Sequence, residues 1–230
     1  MKIGVPKEIK PQENRIGLTP ESVKILNSNG HQVLVENNGG FEAGFYNEQY
    51  IDAGAKIVEK AEDIFNDAEI IVKVKEPLAN EVKMIKENQI VFTYLHLAAA
   101  KELTQGLIDT KSICIAYETV TDNIGRLPLL APMSAVAGRM SVQAGAHCLE
   151  KNQRGRGLLL GGAPGVEPGN VVILGGGVVG ENAAIIATGM RANVSILDKS
   201  EERLKQLVKI FGDKINPIHT DKADLENLLT

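Results

Sequence analysis

The run Val171-Val172-Ile173-Leu174, followed by Gly175-Gly176-Gly177-Val178-Val179-Gly180 and then by Glu181-Asn182-Ala183-Ala184-Ile185-Ile186-Ala187, admits few folds. It reads as a β-branched strand, a glycine turn and an apolar helix in immediate succession, which is the opening of a βαβ unit. The spacing is G-x-G-x-x-G. Gly175 permits a tight turn, Gly177 lacks the Cβ that would block a pyrophosphate, and Gly180 lets helix and strand pack closely. Unpaired N–H groups at the helix start then face the phosphates. A second strand, Asn193-Val194-Ser195-Ile196-Leu197, ends on Asp198, about 20 residues beyond the glycines, where a carboxylate accepts hydrogen bonds from the adenosine ribose and repels a 2′-phosphate. A plain glycine turn with an ordinary strand-end acid is the bland alternative. Strand, helix and acid in the right order favour a dinucleotide, and the acid favours NAD.

The rest of the chain repeats the alternation. Lys2–Val5, Gln32–Glu36, Glu69–Lys75, Ile90–Leu95, Ser112–Tyr117, Val171–Leu174 and Asn193–Asp198 read as strands, with helices in the gaps. Thr19-Pro20-Glu21 marks a helix start, with Thr as N-cap, Pro at the first helical position and an acid in the first turn; the helix stops near Gly30. The pattern predicts an α/β fold of two doubly wound, mostly parallel Rossmann-like sheets, the second incomplete. A domain boundary is expected near residue 130, crossed by a long Ala-, Val- and Met-rich helix, giving domains 1–130 and 131–230.

At 230 residues, 43% hydrophobic and 23% charged, the chain has the composition of a globular protein rather than a disordered or fibrous one. A net charge of −4 argues against a nucleic-acid partner, and Arg154 and Arg156, flanked by glycines, read as a solvated loop. No apolar run approaches the roughly 20 residues needed to span a bilayer, and no signal-peptide core follows Met1, so no membrane association and a cytoplasmic location are expected. Cys114 and Cys148 lack CxxC spacing and a nearby His cluster; buried, reduced thiols and no metal are expected.

Three charged residues of the first half are candidates for chemistry. Arg15 lies in Glu13-Asn14-Arg15-Ile16-Gly17-Leu18, ahead of the capped helix, where a guanidinium beside a positive helix end can bind a carboxylate; an ordinary surface arginine has the same pattern. In Val72-Lys73-Val74-Lys75-Glu76-Pro77 the period of two sets Lys73 and Lys75 on one face, with Lys75 at the carboxyl end of the strand, where open α/β sheets bind ligands. The alternative is a pair of lysines guarding an edge strand. His96 follows the apolar strand Ile90–Leu95, positioned either to exchange a proton near neutrality or to sit as a satisfied core group.

Together these segments resemble the family formed by alanine dehydrogenase and the nicotinamide nucleotide transhydrogenase α-subunit. The resemblance is carried by Met1–Glu8 with Glu13-Asn14-Arg15, Val72–Pro77, Tyr94-Leu95-His96-Leu97-Ala98, Ala131-Pro132-Met133-Ser134 and Gly161 through Asn182. It implies a substrate-binding catalytic domain in 1–130 and a partial NAD-binding Rossmann domain in 131–230. It further implies that Arg15 and Lys75 bind the carboxylate and carbonyl of pyruvate or alanine, that His96 is the catalytic acid/base, and that Ser134, Val178, Val179, Asp198, Arg203 and Thr220 contact NAD. The implied reaction is reversible oxidative deamination of L-alanine to pyruvate and ammonium in a homo-oligomer, a hexamer in the family. Family members are longer, and the missing tail would hold a catalytic aspartate and the nicotinamide-side contacts. A chain ending at Leu228-Leu229-Thr230 therefore reads as C-terminally truncated, where another strand is expected. A catalytically inactive nucleotide-binding fragment and a transhydrogenase-like domain are the alternatives. Arg191 stands where the family usually has glycine, a strained residue if that position is left-handed.

Overall fold

The computed structural model describes residues 1–223 and 225–229; near the chain end, where the next strand is expected, Leu225–Leu229 form a helix instead, and Thr230 lies outside the described residues. Strands and helices alternate: β1 Lys2–Val5, α1 Pro20–Ser28, β2 Gln32–Glu36, α2 Asn47–Asp52, β3 Lys56–Val58, α3 Ala61–Asp67, β4 Ile70–Val72, α4 Ala79–Val82, β5 Ile90–Thr93, α5 Lys101–Thr110, β6 Ile113–Ala116, α6 Ala131–Cys148, β7 Asn170–Leu174, α7 Val178–Gly189, β8 Asn193–Asp198, α8 Glu201–Phe211, β9 Ile215–His219 and α9 Leu225–Leu229. The chain divides into two compact units, Met1–Leu127 and Pro128–Thr230, so α6 lies wholly within the second.

In the first unit six parallel strands run in the order β3-β2-β1-β4-β5-β6. Alternate side chains feed two cores, as expected of a parallel sheet covered on both faces. Val33, Val35 and Val72 pack with Val23 of α1 and Tyr50 of α2. Leu34, Ile71 and Val91 pack on the other face with Ile64 and Phe65 of α3 and Leu107 of α5. The sheet is thus doubly wound, and its strand order reverses between β1 and β4. Helix α1 starts where its sequence predicts: Thr19 Oγ1 accepts the Ser22 N–H at 3.3 Å, and Gly30 follows with φ +80°.

The second unit carries three parallel strands in the order β7-β8-β9, with a core of Ile173, Ala184, Ala187, Ile196, Leu207 and Phe211. Helix α6 crosses α7 at Gly138, whose missing Cβ would overlap the Val179 carbonyl oxygen.

Two strands escape the sequence reading. β3 has only three residues, and β9 contains Pro217, which a central strand cannot accommodate; β9 is an edge strand, where a missing N–H costs no ladder bond. Two expectations need correction. The strand expected over Glu69–Lys75 stops at Val72. The thiols are not fully buried: Cys114, on the edge strand β6, is half-buried, and Cys148 is exposed because α6 buries only Gly138 and Val142. Arg191 is left-handed, with φ +65°, and the Ala192 N–H closes the helix end on the Ala187 carbonyl at 3.1 Å.

Among the described residues no helix is long and apolar enough to cross a membrane, and no group of three or more His, Cys, Asp or Glu is arranged to hold a metal ion.

Candidate functional site

In an open α/β sheet the place for a ligand is the carboxyl end of the strands where their order reverses, which here lies between β1 and β4. Glu8, just past β1, is buried and spans the gap. Its Oε1 accepts the N–H groups of Val74 at 2.6 Å and Lys75 at 3.2 Å, and its Oε2 lies 3.2 Å from Lys73 Nζ. Lys73 Nζ also donates to Glu81 Oε1 at 2.7 Å, while Glu81 Oε2 accepts the Leu78 N–H at 2.8 Å. β4 is therefore interior, not an edge, and Lys73 is fully buried at 0% exposure. The two lysines part company at this point. Lys73 ties the loop together, and Lys75 is half-buried, its backbone held by Glu8 and by Thr93 Oγ1 donating to its carbonyl at 2.9 Å.

The Arg15 loop lies against the same strand end. Gly17 makes this possible, since a Cβ there would come within 2.6 Å of the Val72 carbonyl oxygen. Glu13 grips Arg15, accepting from its Nε at 2.7 Å, its Nη2 at 2.6 Å and its backbone N–H at 3.0 Å. The Arg15 hydrogen bond brings the Glu13 carboxyl down from its ordinary 4.5 to about 2, and the Lys75 charge acts in the same sense.

His96 stands at the adjacent carboxyl end of β5. It is left-handed, φ +51°, an uncommon conformation for a residue with a Cβ. Glu118, beyond β6, holds it there by accepting the N–H groups of Leu95 at 3.1 Å and His96 at 2.7 Å. The ring is 52% exposed, which excludes a core role. Its Nδ1 lies 3.1 Å from Glu76 Oε2, and Glu76 is ion-paired with Lys10. Burial, the largest single influence, works to raise the Glu76 carboxyl, but the Lys10 hydrogen bond and charge, a backbone hydrogen bond and the nearby His96 together leave it below the usual carboxylate range. The Tyr94 ring lies beside that of His96, centroids 6.0 Å apart, and is fixed edge-on by Tyr117 at 5.0 Å.

In the second unit the turn after β7 follows the logic of its glycines. Gly175 has φ +95°, a Cβ on Gly180 would overlap the Gly175 carbonyl oxygen, and a Cβ on Gly177 would meet nothing within 4 Å. Gly176 is equally constrained, with Leu207 Cδ1 2.6 Å from where its Cβ would lie. Asp198 Oδ1 accepts the Ser200 N–H at 2.8 Å and Oδ2 the Gly176 N–H at 2.7 Å, and these bonds hold its carboxyl below the ordinary aspartate range. Arg203 donates to the Gly176 carbonyl through Nε at 2.6 Å and pairs with Glu181, so it braces the turn. Val178 and Val179 are exposed. Ser134 stands half-buried on α6, one turn before Gly138. A cavity of about 490 Å³ at the carboxyl end of the sheet is lined by Gly175, Asp198 and Thr220, with Leu174, Leu197 and Leu225 among its apolar walls.

Residues 4–137 match the family model described as alanine dehydrogenase/PNT, N-terminal domain. The chain belongs to the alanine dehydrogenase/PNT family. Residues 141–230 match the C-terminal domain model of that family. Alanine dehydrogenases of Methanococcus maripaludis and Halomonas elongata are 52% and 51% identical over 98% of this chain, which covers 60% and 61% of their own lengths. The chain thus spans about three fifths of the curated relatives it matches. A solved L-alanine dehydrogenase superposes over 99% of this chain and 63% of its own, with a TM-score of 0.91 at 52% identity. A transhydrogenase from Sinorhizobium meliloti gives a TM-score of 0.76 at 25% identity, over 95% of this chain and 64% of that one.

The sequence pattern singles out Arg15, Lys75 and His96 but not the carboxylates that hold them. Glu8, Glu13, Glu76 and Glu118 were missed, as was Gly17. The available signal was position: Glu8, Glu76 and Glu118 each lie within four residues of the carboxyl end of a predicted strand.

Proposed function

We propose that this chain carries the substrate site and the adenosine-side cofactor site of an NAD-dependent L-alanine dehydrogenase, which interconverts L-alanine with pyruvate and ammonium. The observation that carries the reading is the clustering of the Arg15 loop, Lys75 and His96 at the carboxyl ends of β1, β4 and β5, beside the point where the strand order reverses. Arg15 and Lys75 supply the positive charge that a 2-oxo or 2-amino acid needs at its carboxylate and carbonyl. His96, exposed and next to a carboxylate, holds or moves a proton at the oxygen or nitrogen on Cα. When bound, NAD supplies the acceptor for the Cα hydride.

The glycine turn supports NAD. The open space at Gly177 admits a pyrophosphate, the start of α7 offers N–H groups to it, and Asp198 keeps lone pairs for ribose hydroxyls while repelling a 2′-phosphate. Ser134, Val178, Val179, Arg203 and Thr220 complete the proposed contact set. We also propose a cytoplasmic homo-oligomer, a hexamer as in the family. A second reading, a nucleotide-binding module without turnover, needs only the glycine turn and Asp198 of the second unit.

The test is to follow NADH absorbance with L-alanine and NAD, running Arg15→Ala and His96→Ala beside the parent. Turnover lost in both variants is the expected result. Turnover unchanged in either would overturn the assigned roles, and NAD binding by a parent chain without turnover would select the second reading.

A further inference from the structure

We propose that Glu76 is a positioning residue for His96: its carboxylate accepts a hydrogen bond from the Nδ1–H of the ring, fixes one tautomer and leaves Nε2 as the nitrogen that meets the substrate. The inference rests on the acid/base reading of His96 and goes beyond it. Four observations carry it. His96 Nδ1 lies 3.1 Å from Glu76 Oε2. Glu76 is itself fixed, being 16% exposed and held through its other oxygen by Lys10. The backbone that delivers the imidazole is clamped in the left-handed region by Glu118, and such conformations persist only when the surroundings enforce them. Tyr94 flanks the ring.

The physical reason is a choice between two neutral rings. An imidazole that donates from Nδ1 to a carboxylate must present an unprotonated Nε2, the form able to take a proton, and the same carboxylate stabilises the imidazolium once that proton arrives. A ring free to exchange tautomers presents the reactive nitrogen only part of the time. The charged and titratable groups around the pair are Lys10 on Glu76, Glu118 on the His96 backbone, Tyr94 beside the ring and Lys75 next to Glu76 in the chain. Lys10 and Glu118 are already engaged, which leaves Glu76 as the carboxylate that reaches the ring.

The deciding experiment combines ring-nitrogen NMR with kinetics. In the parent chain, 15N spectra of the histidines, with His96 assigned by its loss in His96→Gln, are expected to show the neutral ring protonated at Nδ1. A ring protonated at Nε2 instead would overturn the inference without any variant having to fold. Glu76→Gln, whose amide can either accept or donate, is expected to mix the tautomers and to lower kcat about 10- to 100-fold, the scale of losing a partner that orients a functional histidine, with the KM for NAD unchanged; Glu76→Asp restores part of the loss. Full turnover in Glu76→Gln with none in His96→Ala overturns the inference and leaves the acid/base reading standing. Full turnover in both removes the reading beneath it.

Discussion

Replacing Lys73 by methionine isolates the most concentrated electrostatic feature of the first unit. The ammonium is fully buried, 3.2 Å from Glu8 and 2.7 Å from Glu81, whose side chains are 3% and 2% exposed. Methionine retains most of the apolar stem, so the cavity left behind is small. What is lost is a positive charge hydrogen-bonded to two buried carboxylates, and breaking such a group from one side costs about 3–5 kcal/mol. At about 2–4 °C per kcal/mol for a chain of this size, the melting temperature of the first unit falls by about 6–20 °C. All four tyrosines lie in that unit and the chain has no tryptophan, so intrinsic tyrosine signal during a thermal melt reports it alone. Adding Glu8→Gln and Glu81→Gln to Lys73→Met neutralises the stranded charges and should recover a large part of the loss, a coupling that neighbouring residues show and independent ones do not. Two results refute the reasoning: a melt of Lys73→Met within about 1 °C of the parent, or a triple variant no more stable than the single one.

Three further outcomes follow from local geometry. Arg191→Gly relieves a left-handed residue and should stabilise the second unit by about 1 kcal/mol; a denaturant midpoint that does not move speaks against it. Gly177→Ala puts a methyl into open space and should leave the melt unchanged while weakening NAD binding on the order of tenfold, whereas Gly180→Ala meets the Gly175 carbonyl and should lower both. Calorimetric titration beside the melt separates the two, and equal NAD affinity in Gly177→Ala and parent would refute the role given to that glycine. The Glu13 carboxyl is depressed from 4.5 to about 2, so its contribution to stability is complete above its ordinary value and is lost as pH falls towards about 2. Glu13→Gln should therefore flatten the stability profile over that acid range, and parallel profiles would contradict it.

Local chemistry was legible in the sequence wherever one segment dictates its own conformation. Thr19-Pro20 caps α1 through atoms three residues apart, Gly175 turns because only glycine adopts its φ cheaply, and Asp198 ends a strand that alternation already marks. The candidates Arg15, Lys75 and His96 were visible for the same reason, as charged residues at loops and strand ends. Their surroundings were not. Glu8 meets Lys73 across 65 residues of chain, Glu118 meets the His96 backbone across 22, and Glu76 meets the ring across 20. No periodicity encodes those distances, because a carboxylate finds its partner only after parallel strands have aligned their carboxyl ends. The two lysines of Val72-Lys73-Val74-Lys75 make the division plain. Sequence put both on one face of a strand; the sheet buried Lys73 between two carboxylates and left Lys75 half-buried, since β4 became an interior strand and the only stable way to bury an ammonium there is to pair it.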